Sequence, residues 1–308
     1  MSNNGNGLEG LVAIQLSIRF WPGFVKLRPQ DLGLDPKRID PNIIYLGNKK
    51  LYPKERRDLF ANNCNRARYY LHDNSFAYAV DTVRAIPARN LPRVEARLAE
   101  FKAEHAGLVE EFLRDYDEIR SEWKRVVDEK HPGLWKLLEP HYPTPAVLRS
   151  KFSFTWRIFN IKAADTPAET STPEVIEAYE NAKRRLQEDY EAMVEEAVVY
   201  LRNEVSKSVN NLAGRIRNGK IIKTGTLDNV RNVAAWFEDL NIFGDRNVAA
   251  SLAKLRTALD GVDPEGLKSN EVLKKEIGGL AAEVAAQAAN LEDVAGITGR
   301  YKRKIDLS

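Results

Sequence analysis

A single cysteine, Cys64, occurs in the whole chain, so no internal disulfide can brace the fold. That usage fits a reducing compartment, with Cys64 expected to act as an inert small hydrophobe. No stretch approaches the ~20 consecutive apolar residues that a bilayer span requires. The opening MSNNGNGLEG has neither the basic nor the apolar region of a secretory signal. Together these absences predict a cytoplasmic protein. A strong excess of one charge is missing too: 47 Lys and Arg stand against 44 Asp and Glu, a net +3. Such balance excludes a binder that works by bulk charge, as histones do.

Catalytic signatures are equally scarce. GNGLEG, Gly5 to Gly10, spells the dinucleotide pattern G-x-G-x-x-G. The working device needs a strand before it and a helix after it, whereas here a polar tail precedes and a strand follows. Ser121–Lys124 and Ser251–Lys254 both spell S-x-x-K, each inside an amphipathic helical pattern and without companion motifs. The four histidines, His72, His105, His131 and His141, show no H-E-x-x-H spacing. His72-Asp73 suggests a metal-dependent phosphohydrolase, for which His131 and His141 would have to supply further ligands from Pro-rich loops. An ordinary helix-end histidine is the simpler reading. There is no Walker A sequence. The expectation is a non-enzymatic protein with no catalytic residues, no metal and no cofactor.

What the chain does contain is periodicity. Its 308 residues are 43% apolar and 30% charged, enough to bury a sizeable core beneath wide solvated faces. VAIQLSIRFW alternates Val12, Ile14, Leu16, Ile18 and Phe20 with smaller or polar residues. FSFTWRIFNI does the same with Phe152, Phe154, Trp156 and Ile158. Period two marks both as half-buried strands. Pro29, Pro36, Pro41 and Pro53 make residues 28–54 a loop-rich connection, with a possible third strand over 43–52. A helical pattern follows from Glu55 to about Ile86, interrupted near Asp73-Asn74-Ser75.

Asn90-Leu-Pro92 then starts a long helix. Val94, Leu98, Phe101, His105, Leu108, Phe112, Tyr116, Ile119, Trp123 and Val126 recur at about 3.6 residues, and Pro132-Gly133 ends the run. A second, longer helix begins at a Ser171–Glu174 capping box and carries Val175, Tyr179, Ala182, Leu186, Tyr190 and Met193. Its stripe continues through Ala197, Leu201, Val205, Val209, Leu212 and Ile216 to a stop at Gly219. That stripe averages about 3.7 residues per step, longer than the 3.5 of a left-handed heptad seam. Shorter helices are expected over about 226–240, 246–260 and 269–291. Trp21, Trp135 and Trp156 fall near strand ends and Pro-rich loops, and Trp123 and Trp236 on helical stripes, all as expected core residues.

The predicted fold class is therefore α+β, mostly helical. A small antiparallel strand pair (about 11–20 with 151–161) packs on helices, and long helices (about 92–129 and 173–218) form an elongated stalk. The domain reading is a disordered tail at 1–9, a strand-and-helix body at 10–162, a linker at 163–172, a helical region at 173–299 and a basic tail at 300–308.

From Tyr45 to about Trp123, YLGNKKLYPKE followed by a helix and a long charged helix resembles an uncharacterised family of bacterial and phage-encoded helical proteins. Genes of that family often neighbour MoxR-type AAA+ ATPases and von Willebrand A-type proteins. The resemblance implies a partner or adaptor for an ATPase machine. The leading expectation is a structural or adaptor protein that acts through helical protein–protein contacts or self-association. The alternative is a nucleic-acid-binding accessory protein. Its phosphate contacts would come from Arg215, Arg217, Lys220 and Lys223 at the end of the longest helix, and from Arg300, Lys302, Arg303 and Lys304 in the basic tail.

Overall fold

The structure, a computed structural model, describes residues 10–40, 43–78, 82–160 and 172–302. The tail at 1–9 and nearly all of the expected linker lie outside the described residues. Among the described residues the strands are β1 (Leu11–Arg19), β2 (Phe24–Lys26), β3 (Asn48–Lys50), β4 (Phe76–Ala77), β5 (Val83–Pro87) and β6 (Ser153–Phe159). The first helices are α1 (Lys54–Asp73), α2 (Leu91–Arg114), α3 (Tyr116–Lys130), α4 (Trp135–Leu138) and α5 (Pro145–Arg149). The remainder are α6 (Pro173–Arg217), α7 (Thr224–Leu240), α8 (Arg246–Ala258), α9 (Pro264–Ser269), α10 (Glu271–Ala289) and α11 (Val294–Lys302). The fold is α+β and mostly helical, with a small antiparallel sheet and long helices. Among the described residues, no helix is long and apolar enough to cross a membrane.

The chain divides into two compact units, each discontinuous in sequence. Unit 1 comprises Met1–Gln15, His72–Pro92 and Ile158–Ser308; unit 2 comprises Leu16–Leu71 and Arg93–Arg157.

In unit 1, residues 11–15 pair antiparallel with β5, in a register that sets Leu11 opposite Pro87 and Gln15 opposite Val83. β5 pairs in turn with β4. Leu11, Ala13 and Ile14 are all buried, so this half of the strand is covered on both faces and departs from simple alternation. Phe76–Ala77 and Val83–Pro87, in a region where the helical pattern was expected to continue to about Ile86, are instead these two strands. The helix stops at Asp73, and Val83 and Ile86 gain a ladder with a strand some 70 residues earlier, which local periodicity cannot reveal.

The helical part of unit 1 is organised on α6. From Tyr190 onward its stripe is buried by α7, α10 and α11. Gly278 lets α10 approach closely, because a Cβ there would sit 2.9 Å from Ile216 Cγ2. α6 ends as expected: Gly219 adopts φ +62°, and the Lys220 amide donates to the Arg215 carbonyl at 2.9 Å. Inside this core lies Arg202, with 0% exposure. Its Nε donates to Asp245 Oδ2 at 2.7 Å, and Nη1 and Nη2 donate to the Asp293 carboxylate at 2.5 and 3.1 Å. Nη1 also donates to the Asn290 carbonyl.

In unit 2, the second half of β1 lies beside β6. Arg19 Nε donates to Ser153 Oγ at 2.9 Å and Thr155 Oγ1 to the Ser17 carbonyl at 3.5 Å, so the two strands run antiparallel as expected. The segment expected to add a third strand to this sheet pairs elsewhere: β3 joins β2 in a separate hairpin, Phe24 opposite Lys50. Its approach requires glycine at position 23. Gly23 has φ +62°, and a Cβ would fall 2.0 Å from the Tyr52 ring. Tyr52 stacks on Trp21 and meets Phe112 edge-on, each pair with ring centroids 5.1 Å apart.

The first long helix is helical over nearly its expected span, with one break at Asp115. The Asp115 amide still donates to Glu111 and its carbonyl still accepts from Ile119, so the ladder runs through a local change in direction. Past the break the buried position moves from Val126 to Val127. Phe101 and Phe112 pack into buried clusters of unit 2, and the α6 stripe beyond Tyr190 into that of unit 1. These parts of the two long stripes are thus covered inside their own units.

His105 is buried on α2 among Phe60, Phe152 and Phe154, and neither ring nitrogen has a hydrogen-bond partner. Burial lowers its pKa, and the nearby backbone of Arg19 opposes this only in part. The unfolded chain therefore binds a proton that the folded chain refuses. Stability is retained above the ordinary imidazole pKa of about 6.5 and declines as pH falls below it.

Two outcomes are expected. Urea melts at neutral pH should show Arg202→Met destabilised by about 3–5 kcal/mol, because Asp245 is left buried without its cation. Melts from pH 7.5 to 5 should show the wild type losing stability and His105→Phe losing less of it.

Candidate functional site

The stripe on α6 does not change character along the helix, but its surroundings do. Thr172, in extended backbone (φ −70°, ψ 155°), precedes Pro173 in the first turn, one residue later than the expected Ser171 cap. Residues 173–189 then form roughly five turns, about 25 Å of helix, exposed or half-exposed on every side. Val175, Ile176 and Tyr179 are 41%, 42% and 39% exposed. Covering begins at Leu186, half-buried against the unit 1 core, and is complete at Tyr190, whose hydroxyl lies 3.0 Å from that of Tyr78 in unit 1.

Spacings of four, three and four place Val175, Tyr179, Ala182 and Leu186 on one face, continuous with the buried stripe. Glu174, Glu177 and Glu180 occupy the remaining arc, and no cation occurs before Lys183. The Glu174 carboxyl is held below the usual range by its own backbone N–H and then by the Thr172 hydroxyl. The acids also suit the positive end of the helix dipole.

Unit 2 contains a feature of opposite sign. The β2–β3 hairpin, the turn at Pro29–Leu32, α3 and α4 enclose a cleft of about 410 Å³. Its wall is mainly Leu27, Leu32, Trp123, Val126, Leu134 and Leu137. Lys49, Lys50, Lys130 and His131 supply the charged and polar groups, and no carboxylate is among the lining residues. Trp123 Nε1 donates to the Lys50 carbonyl at 3.0 Å, tying α3 to the hairpin. No serine, threonine or cysteine lines the cleft, which is shaped to receive apolar groups flanked by negative charge.

Lys49 is buried at the edge of this cleft. Its Nζ lies 2.9 Å from Asp31 Oδ2 and 2.8 Å from His141 Nε2. An ammonium has only donors, so His141 accepts at Nε2 and carries its proton on Nδ1. The Asp31 carboxyl is held below the usual range, first by the Arg28 backbone N–H at 2.8 Å and then by Lys49. Burial pushes the His141 pKa down, and the Lys49 charge pushes it further.

The residues singled out in the sequence are placed as follows. Arg215 is half-buried and donates to Asn211 Oδ1 at 3.0 Å and to the Ile221 carbonyl at 2.9 Å, both at the surface. Arg217, Lys220 and Lys223 are exposed at the α6–α7 turn. Arg300 and Lys302 fall in α11, while Arg303 and Lys304 lie outside the described residues. His72 sits at the end of α1 with Nδ1 3.2 Å from Asp73. Among the described residues, no group of three or more His, Cys, Asp or Glu is arranged to hold a metal ion. Ser251 is buried and donates to Gln287 Oε1 at 2.6 Å, a packing contact.

Sequence reasoning missed the cleft because its wall comes from four separate segments. The one local signal is Lys49, the inward member of the strand Asn48-Lys49-Lys50.

A family model described as a protein of unknown function, DUF3150, matches residues 8–286. No curated protein and no solved structure matches the chain.

The geometry around Lys49 makes a testable statement. In Lys49→Met the positive neighbour is gone and Asp31 remains, so the pKa of His141 rises. An NMR titration of its ring signals should show the increase, and an unchanged or lower value would contradict the assigned contacts.

Proposed function

Because the chain belongs to the DUF3150 family of proteins of unknown function, we propose its role from its own geometry: it is a structural or adaptor protein that acts through helical protein–protein contacts. The docking element is the exposed start of α6. One observation carries this reading: the apolar stripe that builds the core of unit 1 runs on towards the start of the helix, exposed over roughly three further turns through Val175, Tyr179 and Ala182. An apolar stripe at helical spacing is the element that helix-in-groove recognition uses, with side chains at i, i+3 or i+4 and i+7 as anchors. Internal packing explains the stripe from Tyr190 onward and leaves Val175, Ile176 and Tyr179 without a covering partner in unit 1. The likeness of residues 45–123 to helical proteins encoded beside MoxR-type AAA+ ATPases supports such an ATPase as one partner class.

Exposure separates a docking role from a folding role. Val175→Ser, Ile176→Ser and Tyr179→Ser together should change unfolding stability by no more than about 1 kcal/mol, since surface substitutions cost little. A photo-crosslinking residue replacing Tyr179 should trap protein adducts in cells of the native host, and the same residue replacing Lys223 should not. Equal adduct yields at the two positions, or a large loss of stability in the triple variant, would remove this reading.

A further inference from the structure

We infer that the occupant of the unit 2 cleft is the start of α6 from a second copy of this chain. The inference rests on the docking role just proposed for α6 and names the partner surface. Its basis is complementarity between two surfaces of one sequence. The first ten residues of α6, PEVIEAYENA, carry Glu174, Glu177 and Glu180 and no cation, around an apolar face of Val175 and Tyr179 with Ile176 beside it. The cleft offers an apolar wall with Lys49, Lys50, Lys130 and His131 and no carboxylate in its lining. Asp31, the nearest acid to Lys49, is engaged by that lysine at 2.9 Å. Asp128 and Glu129 on α3 are outside the lining.

Both surfaces are open. Leu32 and Leu134 on the cleft are 50% and 38% exposed, comparable with Val175 and Ile176 on the helix. A cleft of about 410 Å³ accepts a few side chains of one helical turn, not a whole helix face. The contact therefore seats the acidic tip of α6 and leaves the later turns, with Lys183, Arg184 and Arg185, outside. Lys50 and Lys130 meet Glu174 and Glu180, on either side of the apolar face, while the apolar side chains fill the wall and Glu177, on the opposite side of the helix, stays in solvent.

Such a contact joins two different patches, so it is heterologous. Each copy keeps one free donor helix and one free cleft, and association continues until a ring closes or a filament grows.

The test uses the full chain and sedimentation equilibrium over a range of concentrations. The wild type should gain mass with concentration. Lys50→Glu with Lys130→Glu should weaken association at least tenfold, and so should Glu174→Lys with Glu180→Lys. Mixing the two variants should restore it, because each then presents the charge the other needs. Circular dichroism and thermal melts, unchanged in both variants, exclude misfolding as the cause. Three results overturn the inference: a monomer at every concentration, association indifferent to both charge reversals, or failure of the mixture to recover. A monomer whose Tyr179 position still crosslinks a different protein overturns this inference alone and leaves the docking role standing.

Discussion

The charge of Arg202 is the constraint on which unit 1 depends. A guanidinium with no exposure must be matched by acceptors, and Asp245, Asp293 and the Asn290 carbonyl provide them. These acceptors come from the start of α8 and from the turn between α10 and α11, so a single side chain of α6 holds two other chain segments. Asp245 also accepts from the Val248 amide at 3.2 Å and caps α8. Asn241 exchanges hydrogen bonds with the Asp245 backbone at 2.9 and 3.1 Å. Replacing a buried ion cluster by apolar residues is often neutral, so its effect here is better described as register than as raw stability. Sliding α6 by one turn would leave every partner of Arg202 unpaired, whereas the apolar contacts around it would lose far less.

Unit 2 reaches its register by shape. Gly23, with its left-handed backbone, brings the β2 strand against Tyr52, and Trp21 and Phe112 enclose the same ring. His105 fits this aromatic core as a neutral ring. Lys49 enters the interior only because Asp31 and His141 receive it, at the edge of an apolar cleft with a positive rim. One unit is thus registered by ions inside helices, the other by rings around a tight turn.

How much of this was legible follows from the range of each interaction. The strands at 11–19 and 153–159, the α6 stripe and its stop at Gly219 were all visible, because alternation, helical period and capping are local. The β4–β5 hairpin was hidden: Phe76 and Val83 also fit a helical spacing, and only pairing with residues 11–15 decides for strand. Arg202 was hidden for another reason. It reads as part of a solvated face, although Val198 four residues before and Val205 three residues after place it on the buried side. The docking stripe was legible as a stripe, but periodicity alone could not show that its first turns stay uncovered. The cleft was not legible at all, since its walls come from residues 27–32, 48–50 and 123–138, which only the tertiary fold brings together.

The division of the chain has a consequence in time. Synthesis from the ribosome delivers residues 16–71 and 93–157 first, so unit 2 has all its parts once residue 157 has emerged. Unit 1 receives the beginning of β1 and the β4–β5 hairpin early but waits for everything after residue 158. During that interval the early strands of unit 1 have backbone partners and no helical layer over them, since α6 and the helices around it arrive last. Vectorial folding of this chain thus completes its middle before its beginning. The first helix of that late layer to emerge is the same α6 whose first turns remain open in the finished molecule.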